Sequence, residues 1–303
     1  MAETRVEETF PEIFRTADGK AVDEQGKYFR LVRYGLIAAV VAAVGNAITK
    51  DVTLGTTKVD TGGVLSAVAF IFGFGFALYL LLNKPERAWY ECRAATESIK
   101  TLAWQYAMRG GSFDQDRQHD ERLFGQTVRK IISHLRYAGL PTIGGSEGVT
   151  QAMNDFRDKP LPERRQIYLQ QRILDQNHWY ANRAKQNQRR AQRWFLTAIV
   201  FHAIGVILAV LKALNVIELD LLGIAATAAA GAIAWVQTRD SQTLAESYVI
   251  ASHELAAIHG EAQDHTDALT EAEWSAFVRS GEQAISREHT LWLARRDPNL
   301  SAD

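Results

Sequence analysis

The sequence predicts an all-α integral membrane protein with two tandem two-helix transmembrane hairpins and long cytoplasmic amphipathic helices. The clearest hairpin lies at 195–236, where apolar runs at 195–211 and 221–236 each approach the ~20 residues that a helix needs to cross a bilayer. The only charged residues of this stretch, Lys212, Glu218 and Asp220, lie in the short connection between the runs. Charge inside hydrocarbon is costly, so this connection is expected at a membrane surface. A second pair of apolar runs occurs earlier in the chain.

The two hairpins divide the 303 residues into two similar units. Both units have a basic flank, an apolar hairpin and then an amphipathic helix, and both carry Ala-Trp-x-x-x-Arg, at 88–93 and 234–239. This shared order favours duplication. The predicted segments are a polar, partly ordered lead-in at 1–30, a first unit at 31–140 with spans at about 31–49 and 63–82, a linker at 141–161, a second unit at 162–296 with spans at about 195–213 and 217–236, and a tail at 297–303.

Helix ends are marked by local signals. Gly110-Gly111 predicts the end of the helix after span two. The pairs Ser112 with Gln115 and Thr270 with Glu273 match the capping box that opens a helix. A helix that starts near 163 is expected to continue into span three. The connection at 50–61 is predicted to be a loop, and no segment has a convincing strand pattern.

The distribution of lysine and arginine predicts the orientation. Basic residues flank the spans on one side, while the hairpin tips have little net positive charge. The positive-inside rule then places both termini and the middle of the chain in the cytoplasm. A net charge of −1 gives no argument for nucleic-acid binding, and the single cysteine, Cys92, excludes an internal disulfide. One basic run is expected to rest near anionic lipid or, alternatively, to bind an anionic ligand; it contains Arg183, Lys185, Arg189, Arg190 and Arg193.

The chain is not predicted to be an enzyme. His253 and His259 resemble a zinc-protease helix, but they are six residues apart and not the four that would place both on one helical face. No phosphate-binding loop or nucleophile motif occurs, so no catalytic residue, metal site or cofactor is predicted.

The spans themselves contain the candidate functional residues. Small residues on one helical face permit close helix packing, which is the simpler interpretation of any single stripe. Polar groups at membrane depth normally face a partner or a cavity, and this favours a water-lined path. The predicted pore-lining residues are Asn46, Thr49, His202, Lys212, Glu218, Asp220 and Thr227, of which Glu218 and Asp220 are either an acidic ring or part of an ordinary solvated loop. The predicted packing residues are Gly35, Ala39, Ser66, Gly73, Ala77, Gly205 and Ala230. The predicted interface anchors are Trp89, Arg93, Trp194, Trp235 and Arg239.

The order of motifs around the hairpins resembles a known family. The first unit has Pro-Glu-Arg-Ala-Trp-Tyr at 85–90 and Trp-Gln-Tyr at 104–106. The second has Arg-Ile-Leu-Asp-Gln at 172–176, Trp-Tyr at 179–180 and a Glu-His pair at 288–289. Over most of residues 10–295 the chain is similar to the SLATT proteins, the SMODS- and SLOG-associating two-transmembrane effectors, in a tandem two-domain form.

This resemblance implies a bacterial defence effector in the inner membrane. Such a protein is expected to oligomerise and, on activation, to form a pore or otherwise breach the membrane. The expected partners are the lipid bilayer, further copies of the chain, and either a cyclic or modified nucleotide signal or a sensor protein encoded nearby. The alternative is a non-conducting membrane-anchored sensor or scaffold that recruits another effector through its cytoplasmic helices.

Overall fold

A computed structural model describes residues 6–48, 50–54, 56–140, 148–217, 221–264 and 269–296. Three of the predicted pore-lining residues, Thr49, Glu218 and Asp220, lie outside the described residues, as do residues 141–147 of the predicted linker and the tail at 297–303. Helices dominate the described chain, which confirms the predicted all-α membrane fold class.

The elements follow one another with short connections. After a short 3₁₀ turn at Val6–Thr9, they are α1 (Glu12–Ala47), β1 (Asp51–Leu54), β2 (Thr57–Asp60), α2 (Thr61–Asn83), α3 (Pro85–Met108), α4 (Arg117–Ser133), α5 (Gln151–Arg157), α6 (Leu161–Tyr168), a π-helical segment (Leu169–Leu174), α7 (Asp175–Ala213), α8 (Leu222–Arg239), α9 (Ser241–Asp264) and α10 (Glu271–Arg296).

The helices form two compact units that do not follow the order of the predicted tandem units. One, called the polar unit below, comprises residues 1–25, 86–184 and 246–303. The other, called the span unit, comprises residues 26–85 and 185–245 and contains all four predicted spans. Each unit therefore takes segments from both halves of the sequence.

Three helical stretches among the described residues are long and apolar enough to cross a membrane. They are Glu12–Ala47, Thr61–Asn83 and Leu161–Ala213, in which α6, the π segment and α7 run on without a break, as predicted. The predicted fourth span, α8, has 18 residues and ends in the polar residues 237–239. At 1.5 Å per residue it is roughly 27 Å long, slightly less than the ~30 Å of a hydrocarbon core. The number of complete hairpins therefore stays a prediction.

The polar unit has a single aromatic-rich core. Among the fully buried side chains are Trp104 of α3, Tyr168 of α6 and Trp274 of α10. The Tyr168 ring lies edge-on to both tryptophans, at centroid distances of 5.9 and 5.7 Å. Such edge-to-face pairs suit the quadrupole of aromatic rings and fix their mutual orientation.

The N-terminal segment differs from the predicted lead-in. Helix α1 begins at Glu12, and Phe10 and Ile13 are buried in the aromatic-rich core of the polar unit. The Phe10 ring packs edge-on against Trp104, with centroids 6.1 Å apart. The apolar residues of this segment are widely spaced among charged ones, which hides a one-sided helix from a composition-based prediction.

The predicted loop at 50–61 contains a two-stranded antiparallel hairpin, so the absence of any strand was predicted wrongly. Its register pairs Asp51 with Asp60 and Val52 with Val59. The sequence signal was the two four-residue runs on either side of Gly55-Thr56, since two-residue connections that begin with glycine are common in β-hairpins.

One of the two predicted capping boxes is correct. Thr270 and Glu273 exchange reciprocal bonds, with the Glu273 carboxylate accepting from the Thr270 N–H at 2.8 Å. By contrast, α4 starts at Arg117, and its N-cap is Asp116, which accepts from the backbone N–H of His119 at 3.1 Å. The prediction from Ser112 was therefore wrong by four residues.

The two Ala-Trp-x-x-x-Arg sequences occupy non-equivalent places. The break after α2 occurs at Lys84, before the first sequence, whereas the break after α8 occurs at Asp240, after the second. Trp89 is consequently buried in the polar unit, where Arg93 forms ion pairs with Asp18 and Glu97. This differs from the expectation that Trp89 and Arg93 anchor the chain in the headgroup region.

Candidate functional site

Helices α1 and α2 of the span unit approach each other closely through small residues. The Ser66 hydroxyl donates a hydrogen bond to the carbonyl of Ala42 at 2.8 Å. A Cβ at Gly45 would lie 2.5 Å from Ser66 Oγ and 2.8 Å from the carbonyl oxygen of Gly62, so alanine does not fit there. A Cβ at Gly62 would collide with the carbonyls of Gly45 and Ile48. The contact is backbone against backbone, which only glycine permits.

The predicted packing residues take part in this contact unevenly. Ser66 lies in it, and a Cβ at Gly73 would touch that of Ala38 at 3.7 Å. Gly35 has no neighbouring atom within 4 Å of its Cβ position, and Ala39 and Ala77 are exposed. The sequence interpretation missed Gly45, although Ala38, Ala42 and Gly45 have the spacing of a helical stripe.

Helices α7 and α8 also face each other with small residues, and they enclose a groove of about 390 Å³. Gly205 is buried there, yet a Cβ on it would be 3.8 Å from its nearest neighbours, so this packing is looser than that of α1 and α2. The groove is lined by Phe201, His202, Gly205, Val206, Ala209, Leu222, Ala225, Ala226, Ala229, Ala230 and Ile233.

His202 lies well inside its span. It follows Trp194 by eight residues and precedes the end of α7 at Ala213 by eleven, so it is roughly 12 and 17 Å from these points. Its side chain is exposed at the edge of the groove, and Nδ1 lies 2.8 Å from the carbonyl oxygen of Ala198 in the preceding turn. The second ring nitrogen is then available for a further partner.

The other described candidates lie differently. Asn46 is the penultimate residue of α1 and is exposed. Thr227 donates its hydroxyl hydrogen to the carbonyl of Gly223 at 2.8 Å, so its own helix satisfies it. Lys212 is exposed at the end of α7. His202 is therefore the strongest candidate among them for a polar role inside the membrane.

At the opposite end of these helices an aromatic cluster surrounds Arg239. The guanidinium carbon lies 3.9 Å from the ring centroid of Phe29 and 5.0 Å from that of Trp235. Trp235 is in turn 6.0 Å from Phe29 and 6.1 Å from Trp194. Burial, and then the neighbouring guanidinium groups of Arg190 and Arg33, lower the pKa of Arg239. The predicted anchors Trp194, Trp235 and Arg239 therefore form one cluster.

The basic run of α7 is largely exposed. Arg183, in the polar unit, has its guanidinium carbon 5.4 Å from the ring centroid of Trp179. The remaining members lie on the exposed surface of the span unit; they are Lys185, Arg189, Arg190 and Arg193.

The polar unit contains a buried ionic network that the sequence interpretation did not find. Glu282 is 0% exposed and accepts hydrogen bonds from Arg172 Nε at 2.8 Å and Nη2 at 2.7 Å. It also accepts from the Tyr168 hydroxyl at 3.1 Å and from the Thr101 hydroxyl at 3.0 Å. Burial opposes the charge on Arg172, but the attraction of Glu282 outweighs it and raises the pKa of Arg172. The only sequence signal would have been a charged residue at a helix position otherwise occupied by core residues.

A second set of buried cations caps the C-terminus of α3. Arg157 donates to the carbonyl of Tyr106 at 2.9 Å, and Arg164 donates to that of Met108 at 2.7 Å. The Trp274 indole N–H also donates to the Met108 carbonyl, at 2.7 Å. These groups satisfy carbonyls that a helix end leaves without partners and place positive charge at the negative end of the helix dipole.

The family comparison found matches in both halves of the chain. Residues 11–165 match the model "SMODS and SLOG-associating 2TM effector domain 3", and residues 168–292 match "SMODS and SLOG-associating 2TM effector domain 1". The chain belongs to the SLATT family. It is a tandem of two SLATT domains, as the sequence motifs indicated, and SLATT domains are effector domains associated with conflict and anti-phage systems. Neither match indicates a catalytic family. No curated protein and no solved structure matched the chain.

The buried ionic network joins the first SLATT domain to the second. Thr101 belongs to the first SLATT domain, whereas Tyr168, Arg172 and Glu282 belong to the second. Likewise the end of α3 is in the first domain and Trp274 is in the second. Within the polar unit, the two SLATT domains therefore share one core and cannot unfold independently there without exposing charged side chains.

Proposed function

We propose that this SLATT protein is an effector that oligomerises in the bacterial inner membrane and opens a pore when activated. The family assignment supports a membrane effector. The main support for a pore is the position of His202. This polar side chain lies within the apolar part of α7 and is exposed at the edge of a groove in a single copy of the chain.

His202 needs a polar partner or water inside the membrane. An ionisable side chain in the hydrocarbon region normally faces a partner or water, because contact with lipid leaves its polar atoms unsatisfied. In one copy its Nδ1 is bonded within α7 and the rest of the ring is exposed. A second copy, with its own helices across the groove, supplies either a hydrogen-bond partner or the wall of a water-filled path.

The apolar surface of the span unit supports assembly in the same way. Only 6% of the most apolar window of α2 is buried within the chain, and 11% of that of α7. Lipid covers such surfaces well, so their area alone does not require a second copy. The groove of small residues beside His202 adds a place where another helix can approach closely.

The trigger is proposed to reach the polar unit from the cytoplasm, as a cyclic or modified nucleotide or as a nearby sensor protein. With both termini cytoplasmic, the polar unit is on the side where such signals are made. A ligand that binds the open arrangement more tightly than the closed one shifts the population towards opening.

Ion release from liposomes tests the pore. The full chain is reconstituted with an entrapped dye, and candidate nucleotides are added; accessibility of Lys58→Cys, in a Cys92→Ala background, to an external thiol reagent reports on insertion. We expect leakage that His202→Leu abolishes and His202→Gln retains. The matched control His178→Leu, at an exposed position of α7 within the polar unit, is expected to leak like the parent chain.

Two outcomes would contradict this proposal. Inserted protein that never leaks under any tested trigger, yet remains toxic to cells, would favour the non-conducting scaffold. Undiminished leakage from His202→Leu would remove His202 from the conducting path.

A further inference from the structure

We propose that three arginines of the span unit, Arg33, Arg190 and Arg239, together bind the phosphate of an anionic phospholipid headgroup. Each arginine lies on a different helix, α1, α7 and α8. This site is independent of whether the protein conducts ions.

The geometry follows from three aromatic–arginine pairs with the same spacing. Phe29 precedes Arg33 by four residues, Trp235 precedes Arg239 by four, and Trp194 follows Arg190 by four. Residues four apart in a helix are neighbours on one face. The aromatic members contact one another, at 6.0 Å for Phe29 with Trp235 and 6.1 Å for Trp194 with Trp235. The Arg239 guanidinium stacks within this cluster, and the charges of Arg190 and Arg33 act on it. The Arg33 guanidinium carbon lies 5.6 Å from the ring centroid of Tyr34 at the edge of the cluster.

The three arginines are not paired with acidic side chains among the described residues. In the part of the chain that the structure describes, none of the three forms an ion pair, and Nε of Arg239 is buried without a hydrogen-bond partner. Stacking on Phe29 and Trp235 holds the Arg239 guanidinium in place. Burial, and then repulsion from Arg190 and Arg33, lowers the pKa of Arg239. A bound anion would remove this repulsion and satisfy the donors.

The chemistry and surroundings of the cluster favour a lipid phosphate. Guanidinium groups bind phosphate through paired, charge-assisted hydrogen bonds. The cluster lies where the apolar runs of the three helices meet polar sequence, which is the depth of the headgroups. Directly beside it, Phe195 and Leu196 are 48% and 61% exposed, so acyl chains attached to the phosphate would cover apolar surface. A free phosphate ion would leave that surface exposed.

The site would link the two SLATT domains. Arg33 belongs to the first domain, whereas Arg190 and Arg239 belong to the second. One headgroup bound to all three would tie α1 to α7 and α8.

Quenching by brominated phosphatidylglycerol tests the site, because Trp194 and Trp235 lie within it. The full chain, in neutral-detergent micelles, is titrated with this lipid, with brominated phosphatidylcholine, and with unlabelled phosphatidylglycerol as competitor. We expect half-maximal quenching at a lower fraction of phosphatidylglycerol than of phosphatidylcholine. Arg190→Gln and Arg33→Gln are expected to raise that fraction about fivefold each, the effect of one interfacial cation. The matched control, Arg189→Gln, removes an exposed charge of the same helix outside the cluster and is expected to change little.

The other outcomes decide against the site. An equal loss in Arg189→Gln would mean general attraction to the basic run. Competition by inorganic phosphate at constant ionic strength, as effective as that by phosphatidylglycerol, would mean a free-anion site. If Arg239→Gln does not fold, the exposed positions Arg33 and Arg190 still decide the result, and unchanged binding in both would overturn the proposal.

Discussion

The buried pair of Arg172 and Glu282 gives the sharpest prediction for stability. Glu282→Gln keeps the shape of the side chain and an oxygen that accepts from Tyr168, but it leaves the Arg172 charge unpaired in a core where both residues are at most 1% exposed. Removing one partner of a buried ion pair costs about 3–5 kcal/mol. For a folded unit of the size of the polar unit, this loss of stability lowers the melting temperature by roughly 6–20 °C, at about 2–4 °C per kcal/mol.

Thermal unfolding of the full chain in detergent measures this loss, with the near-ultraviolet circular dichroism of the buried tryptophans reporting on the polar unit. The double variant Arg172→Met/Glu282→Gln removes both charges and is expected to recover at least half of the loss. The control, Glu163→Gln, disrupts an exposed pair with Lys159 and is expected to cost at most about 0.5 kcal/mol. A loss below about 1 kcal/mol in Glu282→Gln, or a double variant as unstable as the sum of its singles, would refute the reasoning.

Two further predictions concern close packing and a buried thiol. Gly45→Ala is expected to lower the melting temperature, because overpacking costs about 1–3 kcal/mol. The control Gly35→Ala, whose new Cβ meets no atom within 4 Å, is expected to leave the melting temperature unchanged or raise it. Equal effects of the two substitutions would contradict the close contact of α1 with α2. Burial raises the pKa of the Cys92 thiol from 9.0 to about 11. Between these pH values the thiol keeps its proton in the folded chain and loses it in the unfolded chain. The contribution of the protonated Cys92 thiol to the free energy of unfolding is therefore complete below pH 9 and is lost as the pH rises through about 11. Denaturant titrations should show that the free energy of unfolding falls less steeply over this pH range in Cys92→Ala than in the parent chain.

The apolar content of the spans made the membrane fold class predictable from sequence. A run such as 63–82 has few alternatives to a membrane helix, because burying it in a soluble domain would need a partner surface of equal size. The SLATT assignment was also accessible, since the motif order around the hairpins survives loose matching. Both inferences depend on properties that are local in the sequence.

The features that sequence missed depend on contacts between distant residues. Arg172 and Glu282 are 110 positions apart, and each alone resembles an ordinary surface charge on a helix. The two Ala-Trp-x-x-x-Arg sequences look equivalent, but the helix breaks at Lys84 and Asp240 lie on opposite sides of them. Both breaks occur at non-glycine residues with a left-handed backbone conformation. Pro85, directly after Lys84, was a signal for the first break, because helices usually end at or before the residue that precedes a proline. Asp240 has no such neighbour.

The join between the two SLATT domains lies inside a continuous helix, and the π segment at Leu169–Leu174 follows it directly. From α6 into this segment, the buried positions are spaced by four, at Arg164, Tyr168 and Arg172. A second series of buried positions starts at Ile173, also within the segment, and continues at Tyr180. Ile173 is one residue from Arg172, or about 100° around an ideal α-helix. A π segment accommodates one extra residue, so it brings both stripes to the same side of the helix. Arg172 can therefore reach Glu282 while Ile173 and Tyr180 pack in the same core, and deleting one residue of the segment would force one of these two sets of contacts to break.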